Sequence, residues 1–218
     1  MAEKEKIQSD KRNTIIEGYI AYVLENGKDP ASVFKFAKTL KMKEETFYDY
    51  FTSFEGIKKS VWEMIFDKTV ANLESQEVFK NYSSREKLLG FFFTWIEELK
   101  KNRSYLLAAY DIKLVKDPML AREMKGFKEK FKDFVGEIIL EGKETEEIAE
   151  RPYLSDKYDE AIWMQVFFIF KYWLKDDSQG FEKTDAAIEK SVNLAFDLMG
   201  KSALDSFVDF AKFLYQSK

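Results

Sequence analysis

Three prolines and nine glycines are all that interrupt 218 residues, and this scarcity constrains the fold more than any other feature. Proline removes a backbone donor, and glycine costs a helix about 1 kcal/mol relative to alanine. A chain with so few of either leaves long stretches in which helices run freely. Apolar residues recur at helical spacing within those stretches: Ile15, Ile16, Tyr19, Ile20, Val23 and Leu24 in the first, and Ile57, Val61, Trp62, Ile65, Phe66 and Val70 in the fourth. The expected fold is all-α, with about nine helices. Caps and breaks place them near 10–26, 33–40, 44–51, 54–73, 84–101, 103–116, 118–141, 155–176 and 183–216, the last broken at Gly200. Ser9 or Asp10 caps the first, Ser32 the second and Thr184 the last. The acidic stretch 141–151, ending before Pro152, reads as a solvated loop.

Composition removes several classes of chemistry. There is no Cys, hence no disulfide framework and no thiol nucleophile, as suits a reducing cytoplasm. There is no His, the commonest general base and metal ligand. The paired carboxylates Glu97-Glu98 and Glu146-Glu147 are sequence neighbours, and helical neighbours point apart. No catalytic residue, cofactor or metal is therefore expected. The N-terminus MAEKEKIQSDKR is charged and lacks the apolar centre of a signal peptide. The longest near-apolar run, 161–174, is too short for a bilayer, so no membrane role and a cytoplasmic location are expected. The net charge is −4, yet residues 1–43 hold nine Lys and Arg against six acids. An anion-binding part, if there is one, belongs at the N-terminus.

The stretch FAKTLKMKEETFYDYFTSFEGI, residues 36–57, has the spacing of a helix-turn-helix closed by aromatic residues. Phe36-Ala37 supplies an apolar-Ala pair, and Met42 the apolar residue after a turn. The run Thr46-Phe47-Tyr48-Asp49-Tyr50-Phe51 is followed by Ser53-Phe54-Glu55-Gly56-Ile57. Taken together, over roughly residues 11–61, these positions resemble the TetR family of bacterial one-component regulators. Their counterparts there are a Thr-Leu-Tyr-x-His/Tyr-Phe signature and a Lys-Glu-x-Leu element opening the fourth helix.

The resemblance implies a helix-turn-helix DNA-binding domain over 1–53 and a ligand-binding and dimerisation domain over 54–218. The partners it implies are a double-stranded DNA operator, a small apolar effector and a second copy of the chain. Thr46 can reach a base edge or a thymine methyl, and Glu44 can accept from a cytosine amino group. Tyr48 and Tyr50 can meet phosphate and sugar; Lys35, Lys38 and Lys43 can meet phosphates. Ser32 and the amides it caps can bind another phosphate at a helix N-terminus. The sequence departs from the pattern in three ways. Lys41 stands where Gly is usual in the turn, and Phe54 where a phosphate-contacting Lys is usual. Glu44, Glu45 and Asp49 put three carboxylates on or beside the reading helix.

Aromatics abound after residue 90. By the same resemblance this region holds an effector pocket, for which Phe92, Trp95, Tyr110, Trp163, Gln165, Phe167 and Phe170 are candidate lining residues. The last two long helices are expected to form the homodimer interface through Ala161-Ile162, Phe168-Ile169, Trp173, Ile188, Val192, Ala195, Phe196 and Met199. The leading expectation is a ligand-responsive transcriptional regulator, a repressor acting at a palindromic operator. The alternative is a TetR-like dimeric carrier of apolar ligands or lipids with weak or lost DNA recognition, and an enzyme ranks third.

Overall fold

A computed structural model describes residues 2–110, 118–151 and 155–200, with side chains from residue 10 in the first stretch and from 120 in the second. Among the described residues the chain is helical, without a strand. Its helices are α1 (Ala2–Asn26), α2 (Val33–Thr39), α3 (Glu44–Tyr48), α4 (Phe54–Glu74) and α5 (Ser84–Lys101). They continue as α6 (Arg103–Ala109), α7 (Pro118–Glu123), α8 (Lys125–Glu144), α9 (Tyr158–Lys175) and α10 (Glu182–Met199). The all-α expectation holds.

Several boundaries differ from the sequence reading. Helix α1 begins at Ala2 rather than at a Ser9 or Asp10 cap, because the upstream run of Glu and Lys is itself helix-forming. Helix α3 stops at Tyr48, with Asp49 as its C-cap, and does not reach Phe51. The segment 118–141 is two helices parted at Met124. A 3-10 turn at Glu77–Asn81 was not foreseen. The stretch 141–151 is no simple loop: α8 runs into it, and Ile148 and Ala149 are buried. Helix α10 ends at Met199 before Gly200, and residues 201–216 of the expected last helix lie outside the described residues.

The chain divides into two compact units. The first comprises Met1–Val70 and Trp95–Lys130. Helix α1 ends in the manner its sequence requires. Gly27 takes φ 66, free of a Cβ penalty, and its amide returns to the Val23 carbonyl at 2.8 Å. The core gathers Ile15, Tyr19 and Val23 of α1 with Phe36 of α2, Phe47 of α3, and Ile57, Val61 and Trp62 of α4. Each such large side chain contributes about 1.5–3 kcal/mol on leaving water.

The second unit comprises Ala71–Thr94 and Phe131–Lys218. Its α9 and α10 pack together through residues three and four apart. Ile162, Val166, Ile169 and Trp173 line one helix; Ile188, Val192, Phe196 and Met199 line the other. Thr184 does not cap α10 as expected. It lies inside the helix, and the cap is the Asp176 carboxylate, which accepts from the Thr184 amide at 2.8 Å and hydroxyl at 2.6 Å. The same carboxylate accepts from the Ser178 amide and hydroxyl at 2.8 and 2.6 Å. At the other end Arg151 donates to the carbonyls of Leu198 and Gly200, both at 2.7 Å, so that carbonyls left over by α10 find partners.

Candidate nucleic-acid interface

Helix α2, a tight turn and α3 form one face of the first unit. Ser32 has an extended backbone and accepts from the Lys35 amide at 3.2 Å, which fixes where α2 starts. With Phe36 and Ala37 buried, Phe34, Lys35 and Lys38 face outward. In the turn Lys41 adopts φ 54, the left-handed region that Gly would occupy without cost. The Met42 amide then reaches back to the Ala37 carbonyl at 3.0 Å. A side chain in that conformation costs about 1 kcal/mol. In α3, Phe47 points inward, Glu44 and Thr46 are half-buried, and Tyr48 is 52% exposed. Tyr50 is half-buried just beyond the helix.

An aromatic cluster beneath this face holds it in place. Phe36 meets Phe47 edge-on at 6.1 Å and Phe54 at 5.6 Å; Phe54 stacks on Tyr19 at 5.7 Å. Phe51 lies 6.1 Å from Phe47 and carries the Arg12 guanidinium 5.1 Å over its ring. Such ring pairs are worth about 0.5–1.5 kcal/mol each beyond the area they bury. Phe54, in the place of a phosphate-contacting Lys, therefore serves as a packing residue.

On the outer surface an open cleft of about 460 Å³ is lined by Phe34, Lys38, Lys41, Met42, Lys43, Glu44 and Glu45. Lys35, Lys38, Lys41 and Lys43 make no ion pair among the described residues, and neither do Glu44, Glu45 and Asp49. The lysines are thus available to an external anion. The carboxylates are not neutralised from within and oppose that anion wherever they face it.

The seven candidate pocket residues are divided between the two units, two in the first and five in the second. In the first unit Trp95 packs on Phe127 at 5.7 Å, and Tyr110 packs on Trp62 at 5.8 Å. In the second, Phe92 and Trp163 both lie against Phe131, at 6.3 and 5.7 Å, and Phe167 abuts Trp163 at 5.1 Å. Phe170 stacks on Trp173 at 6.1 Å. Gln165 donates to the Ser191 carbonyl at 2.9 Å, joining α9 to α10.

Sequence reasoning missed a part-buried polar cluster in the first unit. Asp29 accepts from Tyr19 at 2.5 Å and from Lys58 at 2.9 Å. Glu123 accepts from Tyr110 at 2.5 Å, and Tyr110 accepts from Trp62 at 3.0 Å. Burial, reinforced for Tyr19 by its bond to Asp29, pushes the Tyr19, Tyr105 and Tyr110 hydroxyls far above the usual tyrosine range. Burial also raises the Glu123 carboxyl, against the opposing effects of Tyr110 and Lys58. Nothing in the sequence distinguishes Lys58 and Glu123 from the many solvated charges around them.

Among the described residues no group of acids could hold a metal ion, and no helix is long and apolar enough to cross a membrane. The described helices, with a short helix, tight turn and short helix near the start, define an all-α protein. Residues 87–214 match the family model described as Tetracyclin repressor-like, C-terminal domain. That span exceeds half the chain, and the chain belongs to the tetracycline-repressor-like family of regulators. Among proteins of curated function, none matches it in sequence.

Proposed function

We propose that the protein is a ligand-responsive DNA-binding transcriptional regulator, a repressor, acting in the cytoplasm as a homodimer on a palindromic operator. The observation that carries this reading is the face of α2 and α3, where four lysines without an ion-pair partner among the described residues flank Thr46 and Tyr48. Ser32, Lys35, Lys38 and Lys43 contact phosphates, while Glu44, Thr46, Tyr48 and Tyr50 meet base edges and sugars. Residues 1–53 form the reading domain, and 54–218 serve effector binding and dimerisation. The effector is small and apolar or aromatic. The rings of Phe92, Trp163 and Phe167 around Phe131, with Gln165 and Phe170 of the same unit, are the favoured part of its site.

The homodimer face is on α9 and α10, but not through most of the residues expected from sequence. Ile162, Ile169, Trp173, Ile188, Val192, Phe196 and Met199 are consumed inside the protomer. Met164, Phe168 and Tyr172, four apart on α9, and Leu194 and Leu198 on α10 are exposed, and with Ala161 they make the apolar surface offered to a second copy.

A second reading, a dimeric carrier of apolar ligands without operator recognition, is favoured by one feature: the unneutralised Glu44, Glu45 and Asp49 beside the reading helix. Binding to the intergenic DNA beside the protein's own coding region, measured at two salt concentrations, separates the two. A regulator shifts that DNA with a salt slope reporting several phosphate contacts. No shift even at low salt, together with tight uptake of an apolar fluorescent probe, would establish the carrier instead.

A further inference from the structure

The part-buried cluster of the first unit sets two carboxylates against one ammonium. Lys58 of α4 donates to Asp29 Oδ2 at 2.9 Å and stands 3.9 Å from Glu123 Oε1 of α7. The Lys58 and Glu123 side chains are 8% and 1% exposed, so neither readily exchanges its partner for water, whereas Asp29 is 46% exposed. Asp29 belongs to the turn that launches α2, and Tyr19 holds its other oxygen. Glu123 Oε2 is taken by Tyr110, whereas Glu123 Oε1 and the Tyr105 hydroxyl are buried without a hydrogen-bond partner among the described residues.

Glu123 is buried while Asp29 is half-exposed, and both claim one ammonium; an ionised Glu123 with only that shared partner leaves an imbalance that its low-dielectric surroundings penalise. A proton on Glu123 removes it and leaves the ammonium to Asp29 alone. We propose that Lys58 and Glu123 form a proton-operated latch on the α1–α2 turn: with Glu123 neutral, Lys58 secures Asp29, and with Glu123 ionised it is drawn toward Glu123 and the turn loosens. Lys58 is thus a positioning residue for the face that α2 presents, and its consequence for DNA rests on the regulator reading above. The titratable groups facing Glu123 are Tyr19 of α1, Asp29 of the turn, Glu55 and Lys58 of α4, Tyr105 of α6 and Tyr110 just after it. Asp29 and Glu55 favour the neutral carboxyl; Lys58 and Tyr110 oppose it. A group raised in this way stabilises the fold fully below the unfolded-state value of about 4.3, and that stabilisation fades as pH rises through the folded value.

The absence of His makes the test clean, since no unshifted side chain titrates between pH 5 and 8. Trp62, bonded to Tyr110, is the reporter, and Trp62→Phe is the control for the other tryptophans. In the full-length protein we would follow tryptophan fluorescence, amide exchange over residues 27–32 corrected for intrinsic rate, and affinity for the intergenic DNA, all from pH 5 to 8.5. The wild type should show one fluorescence transition above the ordinary glutamate range. Protection of 27–32 and DNA affinity should fall with it by about threefold to tenfold, the span of up to one unit of linked titration. Glu123→Gln should abolish all three changes, and Tyr110→Phe, which removes a bond favouring the ionised form, should move the transition upward. Wild-type profiles superimposable on those of Glu123→Gln would overturn the latch. A Glu123-dependent transition without any change in turn protection would overturn it equally. Should Glu123→Gln fail to fold, an unmoved transition in Tyr110→Phe does the same. No DNA binding at any pH, with the fluorescence and exchange changes intact, upholds the latch and sinks the regulator.

Discussion

Lys41 shows how much one residue can carry. Its φ of 54 lets Met42 close the turn between α2 and α3, at a cost that Gly would avoid. Lys41→Gly should raise the urea midpoint by the equivalent of about 0.5 kcal/mol, the relief of strain being partly offset by the greater freedom of an unfolded glycine. A lowered midpoint would show that the turn does not need this conformation. Thr46→Ala should weaken binding to the specific operator more than binding to unrelated DNA, because a base-edge contact carries sequence information and a phosphate contact does not. Equal losses on both, measured by competition, would remove Thr46 from the reading role. Lys38→Ala should instead weaken all sequences alike and flatten the salt slope by about one unit.

At the level of elements, local signals proved legible and long-range ones did not. The bounds of α2, α4 and α5 were readable to within a residue or so, because signals such as the Ser32 cap and the break at 52–53 are written locally. Thr184 misled because it is a good cap by type, while the acceptor that α10 uses, Asp176, lies eight residues upstream. Burial would raise the Asp176 carboxyl, but four hydrogen bonds from Ser178 and Thr184 outweigh it and hold the group at about 2. The depressed value means that the stabilisation is present above the unfolded value near 3.8 and lost as pH falls through about 2. Asp176→Ala should cost about 2 kcal/mol at pH 7, a cap plus orphaned donors, with the gap to wild type closing at pH 2. Thermal unfolding at the two pH values checks this, and a pH-independent gap would contradict it.

For the whole molecule, the helix content and the apolar content of the last helices were visible in the sequence, but the choice of outward face was not. Periodicity says that a stripe is apolar; it does not say which of two stripes on α9 is used within the protomer. The structure spends Ile162, Ile169 and Trp173 internally and leaves Met164, Phe168 and Tyr172 outside. Phe168→Glu combined with Leu198→Glu should convert a dimer to monomers in sedimentation experiments with helix content unchanged. A dimer that persists would place the interface elsewhere. The candidate site was legible in the same partial way: the outward lysines and Thr46 follow from helix phase, whereas Lys58 and Glu123 meet only through the fold.

The mixture of lysines and acids on the α2–α3 face also bears on how a regulator finds its target. A purely basic surface clings to any duplex and travels along it one step at a time. A face on which Glu44, Glu45 and Asp49 stand beside four lysines lets go of unrelated DNA quickly. On the proposed regulator reading, search would proceed through many short visits, with few copies held up on the wrong stretches of the chromosome.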